Sequence, residues 1–328
     1  MSDTRGIHAL PVPTPFAVGR VNCYLIEDDP LTLVDAGPNS GTSLTELEKA
    51  LAVHGRHVED LERIVLTHQH IDHIGLAQIL ADRSGAEVCA LDRLAPWLAR
   101  FGPEMDADDQ FSEAVMLRNG IPHDIAIALR AVTVQFRAWG SSVQVTRSLA
   151  PGEVLTFADR SWRVHHRPGH SPSDTVFHDE ATGVLLGGDH LIKHISSNPL
   201  ISRPLEGGRP EDRPKALIMY MASMKATRAM DLQIVFSGHG DPVDDHRALI
   251  DERFEAHERR VRKIAGIVAG GPKSGFEIAQ EMWGNVAVTQ AYLTLSEVLG
   301  HVDLLLERGE VVEVEDDDGG VVRFAPAR

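Results

Sequence analysis

Apolar residues in this chain follow two rhythms, short continuous runs of strand character and stripes recurring every third or fourth position. Residues 21–26 and 31–34 are apolar runs separated by Glu27, Asp28, Asp29 and Pro30, which predicts a β-hairpin. Leu44, Leu47 and Leu51 share one face of a helix expected over 43–54, and residues 64–66 form a short buried strand running into Thr67 and His68. A helical pattern follows Gly75 to about Arg83, with Gly85 beyond it, and 87–91 reads as another strand. Helix alternating with strand predicts an α/β fold. Between 96 and 140 the rhythm changes to helical segments, the clearest carrying Ile125, Leu129, Val132, Phe136 and Trp139, so this stretch reads as a helical insertion. Strands are expected again at 154–157, 162–166, 175–178, 184–186 and 234–236, several of them ending in His, Asp or Gly. Helices are expected over 212–230 and 246–268, the second with Ile250, Phe254, His257, Val261, Ile264 and Val268 on one stripe.

Gly270, Gly271 and Pro272 mark a boundary, dividing the chain into a domain over 1–268 and a smaller one over 272–328. Ser274 and Glu277 have the spacing of a helix-capping box, Gly309 closes a helical run ending at Arg308, and 311–314 and 321–324 read as strands around a turn. The tail therefore reads helix, helix, helix, wing.

Composition bounds the rest. The chain has 328 residues, 43% of them apolar and 24% charged, as in an ordinary globular protein. A formal charge of -16 argues against a generally basic surface, so a long nucleic acid is disfavoured as a partner. Cys23 and Cys89 stand far apart in apolar surroundings and read as core residues rather than a disulfide or a thiolate metal site. The first residues lack a charged region followed by an apolar run, and no stretch of about 18 apolar residues occurs, so we expect a cytoplasmic protein without membrane insertion.

The chemistry concentrates in four places. His68-Gln69-His70-Ile71-Asp72-His73 follows a strand directly and places four potential ligands in a short loop. Neutral imidazoles and a carboxylate suit divalent ions such as zinc, with iron and manganese as alternatives, and four ligands exceed what one open catalytic ion takes from protein. Downstream, Pro168-Gly169-His170-Ser171, Gly187-Gly188-Asp189 and Ser237-Gly238-His239-Gly240 each put one more ligand just after a strand, beside glycines that permit close backbone approach. Two metal ions around a bridging hydroxide are implied, and with them hydrolysis, since metal-bound water loses a proton near neutral pH. Asp72 is the group placed to orient the water or relay its proton. His165, His166, His190 and His194 also lie near the motifs; they read as packing or surface groups, with His194 a candidate for substrate contact. His123 and His257 have no motif support and read as structural.

Together these motifs resemble the metallo-β-lactamase superfamily, over Val21 to about Val268. The resemblance implies a four-layer αββα sandwich with metals at one edge. It implies that His68, His70 and His170 bind one ion, that Asp72, His73 and His239 bind the other, and that Asp189 bridges both. Asp35, in Asp-Ala-Gly, matches the family's aspartate that orients a ligating imidazole. Asp189, where common β-lactamases carry Cys, makes antibiotic hydrolysis a poor expectation and resembles instead the glyoxalase II and nuclease-like branches. The tail resembles that of the β-lactamase-like protein 2 branch, in which a winged helix follows the hydrolase fold and some members are endoribonucleases.

From Pro272 onward the chain has four basic and eleven acidic residues, and Asp316, Asp317 and Asp318 sit at the wing tip, which repels a phosphate backbone. We therefore expect a small-molecule ester, thioester or lactone as substrate, with single-strand-specific RNA cleavage as the alternative. The apolar side chains of the insertion, Phe101, Phe111, Met116, Leu117, Leu129, Phe136 and Trp139, leave three uses open: roofing the metals, packing on the fold, or joining two copies of the chain as a homodimer.

Overall fold

A computed structural model describes residues 4–315 and 320–327. The strands are β1 (Ile7–Val12), β2 (Val21–Ile26), β3 (Thr32–Val34), β4 (Arg63–Val65), β5 (Glu87–Leu91), β6 (Arg147–Leu149), β7 (Val154–Thr156), β8 (Ser161–His166), β9 (Thr175–Asp179), β10 (Val184–Gly188), β11 (Ile234–Ser237), β12 (Lys273–Ser274), β13 (Val311–Glu315) and β14 (Val322–Pro326). The helices are α1 (Gly41–Val53), α2 (Ile71–Ile74), α3 (Ala77–Ser84), α4 (Ala95–Ala99), α5 (Phe101–Arg118), α6 (His123–Phe136), α7 (Ala216–Arg228), α8 (His246–Val268), α9 (Gly275–Trp283), α10 (Val286–Thr289) and α11 (Ala291–Glu307). None is long and apolar enough to cross a membrane, among the described residues.

Strands β1 to β6 form a six-stranded sheet in chain order, and β11-β10-β9-β8-β7 form a five-stranded one. Their facing surfaces bury Tyr24, Val65, Cys89, Trp162, Val164, Phe177 and Leu186. The outer face of the first sheet packs under α1, α3 and α4 through Leu33, Leu47, Leu80 and Leu98; that of the second packs under α7 and α8 through Leu185, Val235, Tyr220 and Ile264. Three apolar layers thus separate helix, sheet, sheet and helix, the expected sandwich. Both cysteines are buried and free.

Several boundaries differ from the sequence reading. Strand β1 was not expected because Pro11 interrupts its run; it occupies the sheet edge, where a missing N–H costs no ladder bond. The three-residue β6 is too short to show a period. Helix α1 starts earlier than Ser43 because Ser40 caps it, its hydroxyl accepting from the Ser43 N–H at 3.0 Å. Helix α7 starts at Ala216 rather than near 212, since Pro214 disfavours helical geometry before it. Asp72 and His73 stand in the single helical turn α2 rather than in a loop, closed by the bond from the Ile74 N–H to the His70 carbonyl.

In the tail Ser274 and Glu277 form the capping box of α9, and β13 pairs with β14, to which β12 adds a third strand. The wing-tip residues Asp316, Asp317 and Asp318 lie outside the described residues. The apolar face of the tail, including Leu295, Leu299, Val302 and Phe324, continues the same core as α7 and α8. Four of its acids meet cations from the rest of the chain: Glu297 meets Arg260, Asp303 meets Arg213 at 2.7 Å, Glu307 meets Lys215 at 3.3 Å and Glu313 meets Arg118 at 3.5 Å. Much of the acidic excess of the tail is therefore directed at its own chain.

Gly300 brings α11 against α7 so closely that a Cβ there would stand 2.8 Å from that of Leu217. Replacing Gly300 by Leu should cost about 1–3 kcal/mol through overpacking. Urea unfolding should show this as a lower midpoint in one transition, because the tail and the second helical layer share a core; two separated transitions would refute that coupling.

Candidate metal centre

The seven expected ligands converge from five segments at the ends of β4, β8, β10 and β11. His68 and His70 follow β4, Asp72 and His73 lie on α2, His170 follows β8, Asp189 follows β10 and His239 follows β11. Donor atoms of His68, His70, His170 and Asp189 lie within 4.8 Å of one another, and so do those of Asp72, His73 and His239. Asp189 joins the two groups. Its Oδ1 is 3.4 Å from His73 Nε2, and its Oδ2 is 3.4 Å from His239 Nε2 and 3.6 Å from His170 Nε2.

Hydrogen bonds behind the rings decide which nitrogens face inward. Asp35 accepts from His73 Nδ1 at 2.7 Å, so the His73 Nε2 lone pair points to the centre. His239 Nδ1 donates to the Arg20 carbonyl at 2.8 Å, which does the same for its Nε2. Asp35 also accepts from the Thr67 backbone at 2.9 Å and the Thr67 hydroxyl at 2.8 Å; that hydroxyl then accepts from His68 Nδ1 at 3.0 Å and leaves His68 Nε2 unprotonated. Asp35 achieves this from a left-handed backbone, φ 60°, a conformation that Asp tolerates better than most residues.

What results is a set of inward-facing nitrogens and carboxylate oxygens with too few protons to pair them all. His68 Nε2 and His170 Nε2 lie 3.0 and 2.9 Å from His70 Nδ1, and one proton at most can serve each such contact. His73 Nε2 and Asp189 Oδ1 are buried without a hydrogen-bond partner. Burial pushes His68 well below the usual imidazole range, lowers His70 and takes His170 down to about 3, so these rings are neutral. On the other side burial is outweighed: the carboxylates of Asp189 and Asp72 lift His239 to about 9, and Asp189, Asp35 and Asp72 lift His73. Burial also opposes the charge of Asp189, yet His73 and His239 hold it well below the ordinary carboxylate range. The pocket thus attracts positive charge, and protons on His73 and His239 take the place that a cation would fill. The donor set fits divalent metal.

Glycines make the convergence sterically feasible. A Cβ on Gly238 would come within 2.2 Å of Asp189 Oδ1, and one on Gly188, φ 48°, within 2.9 Å of the Thr67 hydroxyl.

Supporting residues beyond Asp35 escaped the sequence reading. Asp174 accepts from the Ser171 N–H and hydroxyl at 2.8 and 2.6 Å and holds the His170 loop; burial pushes its carboxyl up to about 7. Ser173 binds Gln69 and ties that loop to the His68 segment. Its Pro-Ser-Asp turn chemistry was the available signal. His190 is buried against Thr227 at 2.9 Å, His166 bonds the Pro172 carbonyl at 2.9 Å, and His165 lies beside Arg167, so all three belong to packing. His194 is exposed and lies over Gly240, next to His239. His123 is exposed on α6, and His257 is buried against His301 at 3.1 Å. Donor atoms of His257, Glu297 and His301 also lie within 4.8 Å of one another, but Arg260 already neutralises Glu297, leaving no net negative charge for a dication.

Known proteins are similar to this chain in sequence and fold. The family model described as "Metallo-beta-lactamase superfamily" matches residues 17–239. A Bacillus subtilis protein described as "Probable metallo-hydrolase YqjP" is 34% identical over 302 residues, 92% of each chain. The crystal structure of a beta-lactamase domain protein from Burkholderia ambifaria superposes with a TM-score of 0.83 at 28% identity, covering 100% of this chain and 94% of that one. The hydroxyacylglutathione hydrolase GloC of Haemophilus influenzae is 24% identical over 182 residues, 55% of this chain and 70% of its own. With its fold, its paired donor groups and these relatives in agreement, the chain belongs to the metallo-beta-lactamase superfamily and is a metal-dependent hydrolase.

Proposed function

We propose that this protein is a binuclear hydrolase of small esters, thioesters or lactones. The observation that carries this reading is the pair of donor groups meeting at one carboxylate, Asp189. His68, His70 and His170 would hold one ion and Asp72, His73 and His239 the other, with Asp189 shared; the nitrogen and oxygen donors suit zinc, with iron or manganese as alternatives. Such ions, when bound, supply a nucleophile at neutral pH and polarise the attacked carbonyl. Asp72, whose Oδ2 is 3.4 Å from His239 Nε2, would orient the attacking water or relay its proton.

Apolar contacts between the insertion and neighbouring loops favour a small acyl substrate. Phe16, in the β1–β2 loop, meets Phe136 at the end of α6, with ring centroids 5.4 Å apart. Ile71 packs at Gly140, and the Trp139 carbonyl accepts from the Asn39 N–H at 2.7 Å, which ties the insertion to the metal-centre loops. Hydroxyacylglutathione, named in the description of one relative, is a thioester. The tail we read as a winged helix used for packing, with Glu297 and Asp303 paired to Arg260 and Arg213 of the same chain rather than turned to a nucleic acid.

Metal analysis of the purified protein should give two ions per chain, and His70→Ala should lower that number and abolish turnover of an acyl-thioester and lactone panel. Cleavage of a fluorescent single-stranded RNA with no turnover of that panel would sink the reading. Asp35→Asn should weaken metal binding by roughly 10–100-fold, measured by chelator competition, because it disturbs the orientation of His73; unaltered affinity would remove Asp35 from the site.

A further inference from the structure

A crevice of about 140 Å³ lies against the loop that carries His170. It begins at Gly169 and Ser171, the neighbours of His170 in the chain, and its walls are chiefly Pro168, Leu200, Leu205, Ala216 and Met219. Polar groups near it are largely engaged elsewhere: Ser171 bonds Asp174 at 2.6 Å, and His166 bonds the Pro172 carbonyl at 2.9 Å. At its rim stand Arg93 and Glu206, 3.8 Å apart and both more than half exposed.

Both walls are fixed from behind. Ser223 of α7 donates to the Pro168 carbonyl at 2.7 Å. On the opposite side, Tyr292 of the tail donates to the Ile201 carbonyl, the Ile201 N–H donates to Ser296 at 3.3 Å, and Arg203 bonds Asp108 of the insertion at 2.7 Å. Tail and insertion therefore converge on the segment that walls the crevice, although neither supplies a residue to the metal centre.

We propose that this crevice binds the acyl chain of the substrate, a linear apolar group of about six carbons, since an apolar cavity of about 150 Å³ is known to take a benzene ring. The assignment rests on the acyl-hydrolase reading above and gives it a specificity. The carbonyl sits at the metal centre and the chain runs past Gly169 toward Met219. Tyr292 and Arg203 hold the segment that carries Leu200 and Leu205.

Binding of the carboxylic acids that hydrolysis would release tests this without turnover. Calorimetry on the metal-loaded protein should show hexanoate bound at least about tenfold tighter than acetate, as burial of several methylenes requires. Met219→Trp fills the crevice from a position that is 37% exposed, so the fold should tolerate it, and should remove that preference; Met219→Ala should move it toward longer chains. A wild type that binds acetate and hexanoate alike, or a folded Met219→Trp protein that keeps the preference, would overturn the proposal. Thioester and ester turnover, measured separately, keeps the two readings apart: discrimination without turnover fails the hydrolysis reading alone, and turnover without discrimination fails the crevice alone.

Discussion

An imidazole can offer a lone pair to a metal only if its proton sits on the other nitrogen, and much of this structure serves that requirement. Asp35, Thr67 and the Arg20 carbonyl take the outer N–H groups of His73, His68 and His239, so that three rings from three segments turn their other nitrogens to one volume, that of His68 unprotonated and those of His73 and His239 holding protons that a metal would displace. Each acceptor is itself held: Asp35 by the Thr67 backbone, Thr67 by Asp35, and Arg20 by its place before β2. The cost is a buried group of like-facing donors with no internal partner, which a divalent ion relieves.

The sandwich around this centre follows from the same constraint. Ligands arrive at the ends of β4, β8, β10 and β11, strands of two different sheets, so both sheets must end at one edge and meet there without an intervening helix. Trp162, Phe177 and Tyr24 fill the space between them, and Gly188 and Gly238 let the strand ends approach.

Legibility in the sequence tracked how local each signal was. The ligands sit in tight motifs directly after apolar runs, and every one is brought to the centre. Asp35 was found by the same means, whereas Asp174 and Ser173 act through loop hydrogen bonds that leave no period in the chain. Strand β1 was hidden by Pro11, and the start of α7 by Pro214, whose effects depend on an edge position or a neighbouring turn. The insertion was visible as apolar helix, but its division between core residues such as Phe111 and Met116 and the half-buried Phe136 and Trp139 is set by long-range packing. The acidity of the tail was read as repulsion of phosphate; the pairing of Asp303 with Arg213 and Glu297 with Arg260 adds an internal destination that no composition could indicate.

The Gly270-Gly271-Pro272 joint resembles the linkers at which separable modules are cut without loss. The continuous core says otherwise. Severed there, the larger piece would expose Leu217 on α7, against which Gly300 of α11 is pressed, and lose the tether at Ile201. It would be left with an apolar flank ringed by Arg213, Lys215 and Arg260 without the tail acids that meet them, prone to associate before its metals could be counted. A seam that looks dispensable in the sequence is thus a condition of solubility for the catalytic half.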